Sequence, residues 1–381
     1  MDSGAEAGSA FDLGRDLLCT ADAEGRFTSL NTTWEGVLGW SRAELMARPF
    51  IELVHPDDVE ETLAASSRIG EVDHEIVAFE NRYRTKEGGW RWLRWNARSD
   101  GTTWFAVAID VTEDKAAEER VRGAISDERL LVYGQPIADL RSGRVVQEEL
   151  LVRLIPESGV GVLGAADFLP AAERTGAITS IDRWMTTRGL ELAAQGRKVQ
   201  VNLSARSIND ADLMEDLAER VEAIGVAARR VVFEITETTA LANIGAAREL
   251  SDRLGRLGCQ IALDDFGTGF ASLTHLRELP VQMIKIDISF IAGLRNNRLD
   301  RALVRGVAAM ARELGLQTVA EGVEDATTYA LLGDYEIDRV QGYLVGRPRP
   351  LELVPRGRQA TPARQARVQA NLRSAKRART P

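Results

Sequence analysis

Seven short apolar runs in the second half of the chain carry, at or near their ends, side chains able to handle a cation, a phosphate or water. They are Val145–Leu151 with Glu149, Val199–Ser204 with Asn202, Val231–Thr236 with Glu234, Ile261–Asp265 with Asp264 and Asp265, Met283–Asp287 with Lys285 and Asp287, Thr318–Gly322 with Glu321, and Arg339–Tyr343 with Gln341. A buried strand has no structural reason to stop on a carboxylate, because a desolvated, unpaired charge costs several kcal/mol or more. Taken singly, Glu149 or Glu234 reads as a surface ion-pair residue, and Asn202-Leu203-Ser204 reads as a helix N-cap. Taken in succession they share a destination. Oxygen donors with one ammonium suit a hard divalent ion and an anionic phosphate ester.

The elements that must position them follow from the spacing. Each run is separated from the next by about the length of a helix and a loop, which is how a β/α barrel reads in one dimension. Its strand ends open on one mouth, and each delivers a functional group there. A bound divalent ion can activate a water and clamp oxygen charge that develops on a phosphate ester. Asp264 and Asp265 are adjacent, and neighbouring strand residues normally face opposite ways. The chain must therefore bend there, and Gly267 and Gly269 supply the freedom.

The 381 residues suffice for two domains with separate cores. Hydrophobic content of 44% and charged content of 28% are those of an ordinary globular chain. No apolar stretch approaches the ~18 residues of a membrane span and no signal peptide is read at the start, so a cytoplasmic protein is expected. Two cysteines, Cys19 and Cys259, and three histidines, His55, His74 and His275, form no zinc spacing. After Pro355 the chain carries eight basic residues and no acid, so the net charge of −9 leaves the remainder near −17 (−9 − 8). Residues 357–381 are read as a basic disordered tail, able at most to make weak contact with nucleic acid or another anionic surface. The acidic body argues against nucleic acid as the main partner.

Residues 1–10 are small and polar and are read as a flexible start. From 11 to 113 the pattern changes. Leu17–Ala21 and Arg26–Leu30 flank a hairpin signal, helical stretches follow at Thr33–Leu38, Ser41–Met46 and Asp57–Ser67, and strands at His74–Thr85, Trp90–Ala97 and Thr103–Val111 close an α+β domain. Ser41 and Glu44 fit a capping box. His55, in His-Pro-Asp-Asp, reads as the start of a turn rather than a haem ligand. Asn31-Thr32-Thr33-Trp34, Leu38-Gly39-Trp40-Ser41, His55-Pro56-Asp57-Asp58, Arg82–Trp95 and Asp110-Val111-Thr112-Glu113 together resemble a PAS sensor domain. They do not name its ligand. Residues 114–125 are read as a helical linker, with Ala117, Val121, Ala124 and Leu131 on one stripe. That stripe fits either a solvated connector or a coiled link between paired subunits.

The second domain, read as 126–356, resembles the EAL phosphodiesterase family along almost its whole length. Leu131–Ile137, Glu149-Leu150-Leu151-Val152-Arg153, Phe168-Leu169-Pro170, Glu173-Arg174-Thr175-Gly176, Asn202-Leu203-Ser204, Glu234-Ile235-Thr236-Glu237, Asp264–Gly269, Lys285-Ile286-Asp287, Glu321-Gly322-Val323-Glu324 and Gln341-Gly342-Tyr343 carry the resemblance in order. Leu150 stands where the family's name-giving Ala usually stands, and Leu154 where Trp is common.

The resemblance implies an α/β fold, a modified TIM (β/α)8 barrel behind the PAS domain, that hydrolyses cyclic di-GMP to linear pGpG with Mg²⁺ or Mn²⁺, two ions per site. Glu149, Asn202, Glu234 and Asp264 would hold the first ion, and Asp265 would complete the second site or bridge the two. Lys285 would position the attacking water or neutralise charge on phosphorus. Glu321 would serve the second ion or act as base. Arg153 would reach a substrate phosphate, Gln135 and Gln341 would orient the substrate site, and Glu237 would anchor the loop after Asp265. A homodimer is expected. The rival readings are a receptor that binds cyclic di-GMP without cutting it, and a scaffold paired through its PAS domain.

Overall fold

A computed structural model describes residues 16–69, 75–268 and 279–351. The stretches read as a flexible start and a basic tail, together with Gly269, lie outside these residues. The chain divides into two compact units, with the split after Glu119.

The first unit is a five-stranded antiparallel sheet of β1 (Leu17–Ala21), β2 (Phe27–Leu30), β3 (Glu75–Arg84), β4 (Trp90–Ser99) and β5 (Trp104–Asp110), in the order β2-β1-β5-β4-β3. Short helices between β2 and β3 cover one face. Their starts follow from local chemistry. Ser41 and Glu44 close a reciprocal capping box on the helix Arg42–Met46. The His55 ring accepts from Asp57 N at 3.2 Å and so opens the turn at Pro56. Trp34, Tyr83 and Trp95 pack edge-on and tilted at the centre, where Trp34 is fully buried.

The helix Thr112–Ser126 contains the split between the units. Ala117, Val121 and Ala124 on its stripe are all buried, and the last two belong to the core of the second unit. Leu131 does not extend this stripe. The helix stops at Ser126, and Glu128, at φ 55°, turns the chain into the next strand.

The second unit is a closed barrel of β6 (Leu130–Asp139), β7 (Val145–Leu154), β8 (Val199–Asn202), β9 (Val231–Thr236), β10 (Gln260–Phe266), β11 (Met283–Ile286), β12 (Gln317–Ala320) and β13 (Arg339–Gln341), with β14 (Arg349–Pro350) added outside β6. Strands β7 to β13 are the seven apolar runs, and they pair parallel in sequence order. The first strand is the modification. β6 runs antiparallel to both of its barrel neighbours, β7 and β13. The cause is the turn at residues 140–144. Ser142 N and Oγ both donate to Asp139 Oδ1, and Gly143 N donates to Asp139 O. A turn this short can join only antiparallel strands.

The barrel strands alternate. Ile137, Val232, Ala262, Met283 and Val319 form a separate buried cluster. Their neighbours Val231, Phe233, Ile261, Leu263 and Ile284 belong to the core shared with the helices. The inward set therefore continues, two residues nearer the mouth on each strand, into the polar side chains there, which on antiparallel β6 means Gln135 before Ile137.

Candidate active site

Lys285 is inward on β11, two residues after Met283, and only 1% exposed. Its Nζ lies 2.9 Å from Glu234 Oε2, 3.1 Å from Asp264 Oδ2, 2.7 Å from Glu321 Oε1 and 3.8 Å from Glu149 Oε2. Four strand ends thus deliver carboxylates to one ammonium. Burial opposes the charge on Lys285. The carboxylates of Asp264, Glu149, Glu234 and Glu321 outweigh that and hold its pKa well above the ordinary lysine value. Burial drives Glu234 well above the ordinary carboxylate range, and Lys285 only partly offsets it. Burial likewise raises Glu321, to about 8, against the pull of Lys285 and with the push of Asp264 and Glu149.

Glu149 is oriented through both oxygens. Asn202 Nδ2 donates to Oε1 at 3.0 Å, and Gln341 Nε2 donates to Oε2 at 2.5 Å. Gln341 Nε2 also reaches Gln135 Oε1 at 3.2 Å, and Gln135 Nε2 donates to Gly346 O at 3.4 Å. Strands β13, β6, β7 and β8 are therefore tied together by side-chain amides at the rim of the cluster.

The bend at the paired aspartates begins on Asp265 itself, and Gly267 just after it also takes a left-handed φ, 101°. Asp265 has φ 53°, unusual for a residue with a side chain, and the register between β10 and β11 shifts between Leu263 and Phe266. Asp265 N donates to Asp264 Oδ1 at 2.9 Å, and its carbonyl accepts from Thr268 Oγ1 at 2.9 Å. This turn brings Asp265 back toward the mouth. Asp264, Asp265 and Glu321 each place a carboxylate oxygen within 4.8 Å of the others. Burial, then the charges of Asp264 and Asp287, raise the Asp265 pKa. Backbone strain of this kind costs about 1–3 kcal/mol and gathers at working sites.

Glu237 stands apart from the cluster. It is 1% exposed, and its Oε2 accepts from Gly267 N at 2.8 Å, at the start of the segment that follows β10. Arg153 lies four residues beyond Glu149 on β7, about 13 Å along a strand. Its guanidinium stacks over the Tyr133 ring at 5.5 Å and donates to Val152 O. The structure does not bring it to the lysine cluster.

Leu150 and Leu154 point away from the mouth and belong to the helix-side core. Gly189 on the facing helix makes room for Val201, since a Cβ there would lie 2.6 Å from its Cγ2, whereas Leu150 at 3.5 Å would be in ordinary contact. Gln200 went unmarked in the sequence reading. It is fully buried, in register with Glu149, and donates to Met283 Sδ at 3.2 Å across the lumen. A glutamine inside the apolar run Val199–Val201 was the signal.

The donor set fits divalent cations. Five carboxylates and one asparagine converge, and among the described residues Lys285 is the one cation paired with them. Glu234 Oε1, fully buried, has no hydrogen-bond partner among the described residues. Hard cations take such oxygens.

Comparisons with known proteins agree with this geometry. A family model described as EAL domain matches residues 118–348, and one described as PAS fold matches residues 27–102. The cyclic di-GMP phosphodiesterase NbdA of Pseudomonas aeruginosa is 37% identical over 252 residues, 64% of this chain and 32% of that protein. The cyclic di-GMP phosphodiesterase PdeB of Shewanella oneidensis is 38% identical over 239 residues, 61% of this chain and 28% of that protein. A crystal structure of the FimX EAL domain from Pseudomonas aeruginosa bound to c-di-GMP is 29% identical and superposes with a TM-score of 0.57, over 61% of this chain and 96% of that one. The chain spans about a third of the length of the curated relatives it matches.

Proposed function

This chain belongs to the EAL domain family, and from that premise we propose that its barrel hydrolyses cyclic di-GMP to linear pGpG. The observation that carries the reading is Lys285, 1% exposed and ion-paired with carboxylates from three other strand ends, Glu234, Asp264 and Glu321. The relatives named as cyclic di-GMP phosphodiesterases support it.

In this proposal Glu149, Asn202, Glu234 and Asp264 hold one Mg²⁺ or Mn²⁺, and Asp265 and Glu321 hold a second. Such ions supply an ionised water and stabilise charge on the phosphate oxygens. The protein's own groups do the rest. Gln341 and Asn202 fix both oxygens of Glu149. Lys285 offers a fixed positive charge where negative charge grows on the transferring phosphoryl group, and it has no lone pair with which to act as a ligand while charged. Glu321 serves the second ion or acts as base; with its pKa raised to about 8 it is mostly protonated at neutral pH, and a cation beside it favours the charged form that either role needs. Arg153, with Gln135 and Gln341, engages the substrate, Arg153 through the phosphate further from the cluster. Glu237 holds the start of the segment after Asp265.

The PAS domain adjusts the rate in this proposal, and the protein acts in the cytoplasm as a homodimer. Among the described residues no helix is long and apolar enough to cross a membrane. Metal dependence tests the reading. Mg²⁺ or Mn²⁺ is expected to support turnover, and Ca²⁺, which favours a longer and looser shell, is not. Full activity after exhaustive chelation contradicts it.

A further inference from the structure

Among the side chains assigned here to the first ion, Asn202 alone is exposed. Its direction therefore depends on the backbone that carries it. On one side that backbone is held by the barrel, where Leu203 N donates to Glu234 O at 2.8 Å. On the other side it is held from outside the site. The chain leaves β8 through Leu203 and Ser204 into the short helix Ala205–Ile208. Asp182, on the long helix Ile178–Ala194, reaches this turn. Its Oδ2 accepts from Ser204 N at 2.9 Å and from Ser207 Oγ at 2.6 Å.

Asp182 is 5% exposed, and among the described residues no ion pair involves it. A buried carboxylate without a cation is costly, so its presence calls for a return elsewhere. Both bonds end on one buried oxygen, so they tie the Ser204 turn and the short helix to the same point. Such bonds suit an anchor that must not slip. A second grip lies beside it. Gly176 ends the helix Ala165–Thr175 at φ 84°, and a Cβ there would fall 3.0 Å from Arg206 Nη1. Arg206 Nη2 donates to Arg174 O at 3.4 Å. The Glu173-Arg174-Thr175-Gly176 motif contributes no side chain to the lysine cluster, yet it and Asp182 hold the same short helix.

We propose that Asp182 is a positioning residue, seconded by the contact of Arg206 with residues 174–176. It fixes the Ser204 turn so that Asn202 keeps its Nδ2 on Glu149 Oε1 and its Oδ1 free for the cation. The inference rests on the two-ion reading above.

The test is the Mn²⁺ affinity of the full chain, measured by titration calorimetry, with a melting curve for every variant. Asn202→Ala sets the scale for losing the ligand itself. Asp182→Ala is expected to weaken Mn²⁺ binding about tenfold or more, the usual effect of removing a group that orients a ligand. Asp182→Asn keeps an acceptor for Ser204 N and is expected to recover most of the affinity. If it folds and binds as poorly as the alanine variant, hydrogen bonding to the turn is not the cause and the inference falls. If Asp182→Ala does not fold, Ser207→Ala decides, because it removes one bond of the anchor and leaves the carboxylate in place. Weakened binding supports the inference, and wild-type affinity overturns it. Loss of binding in Asn202→Ala without loss in folded Asp182→Ala overturns this inference alone. Wild-type protein that binds no Mn²⁺ overturns the two-ion reading with it.

Discussion

Replacing Lys285 by Met separates the lysine's two duties, holding the carboxylates together and acting in the reaction. The substitution keeps the volume and removes the charge. In the wild type, the ammonium lies within 3.1 Å of oxygens on Glu234, Asp264 and Glu321 and 3.8 Å from Glu149. Without it, four carboxylates face one another in a buried space. Breaking a buried ion pair by removing one partner costs about 3–5 kcal/mol. In a domain of this size each kcal/mol moves the melting temperature by about 2–4 °C. The variant in EDTA should therefore melt about 6–20 °C below the wild type. Excess Mg²⁺ should recover much of that loss, because a cation at a hundred times its Kd adds about 2.7 kcal/mol. The shift on adding Mg²⁺ should be larger in the variant than in the wild type. Scanning calorimetry of both proteins, with EDTA and with Mg²⁺, measures all four values. A variant that melts within about 2 °C of the wild type in EDTA would show that Lys285 does not hold the cluster. A destabilised variant that Mg²⁺ fails to recover would show that these carboxylates are not a cation site.

Glu149→Gln should abolish turnover, because the new amide cannot accept from both Asn202 and Gln341 and offers one oxygen fewer to a cation; near-native rates would remove Glu149 from the ligand set. Glu237→Ala strips the acceptor from Gly267 N and should destabilise the barrel by about 1–3 kcal/mol, with a fall in kcat, whereas an unchanged melt and rate would leave Glu237 without an anchoring role. Deleting residues 1–111 leaves the helix Thr112–Ser126, whose Val121 and Ala124 belong to the barrel core, so the barrel should fold with an altered specific activity. An unchanged rate and oligomeric state would count against regulation by the PAS domain.

The barrel was legible because its chemistry is concentrated at strand ends. Seven apolar runs, each closing on a polar group that a buried strand would otherwise avoid, correspond to β7 through β13. The order of the PAS elements was legible from turn residues and from the Ser41–Glu44 cap. The sense of β6 was not read, although Asp139, Ser142 and Gly143 form the short turn that sets it. The bend at Asp264–Asp265 was legible from the paired aspartates and Gly267, which takes φ 101°. The strain sits on Asp265, where a bulge in register and a φ of 53° reverse the side chain. Gln200 and Asp182 escaped notice for a different reason. A polar residue inside an apolar run marks Gln200, but its partner Met283, like the partners Ser204 and Ser207 of Asp182, lies too far along the chain for local spacing to announce.

The most direct test is product analysis of cyclic di-GMP incubated with the purified chain and Mg²⁺, followed by chromatography over time. The account predicts disappearance of the cyclic dinucleotide with stoichiometric appearance of linear pGpG, and its loss in Glu149→Gln. Cyclic di-GMP that binds and is recovered intact would contradict it and would make the barrel a receptor rather than an enzyme.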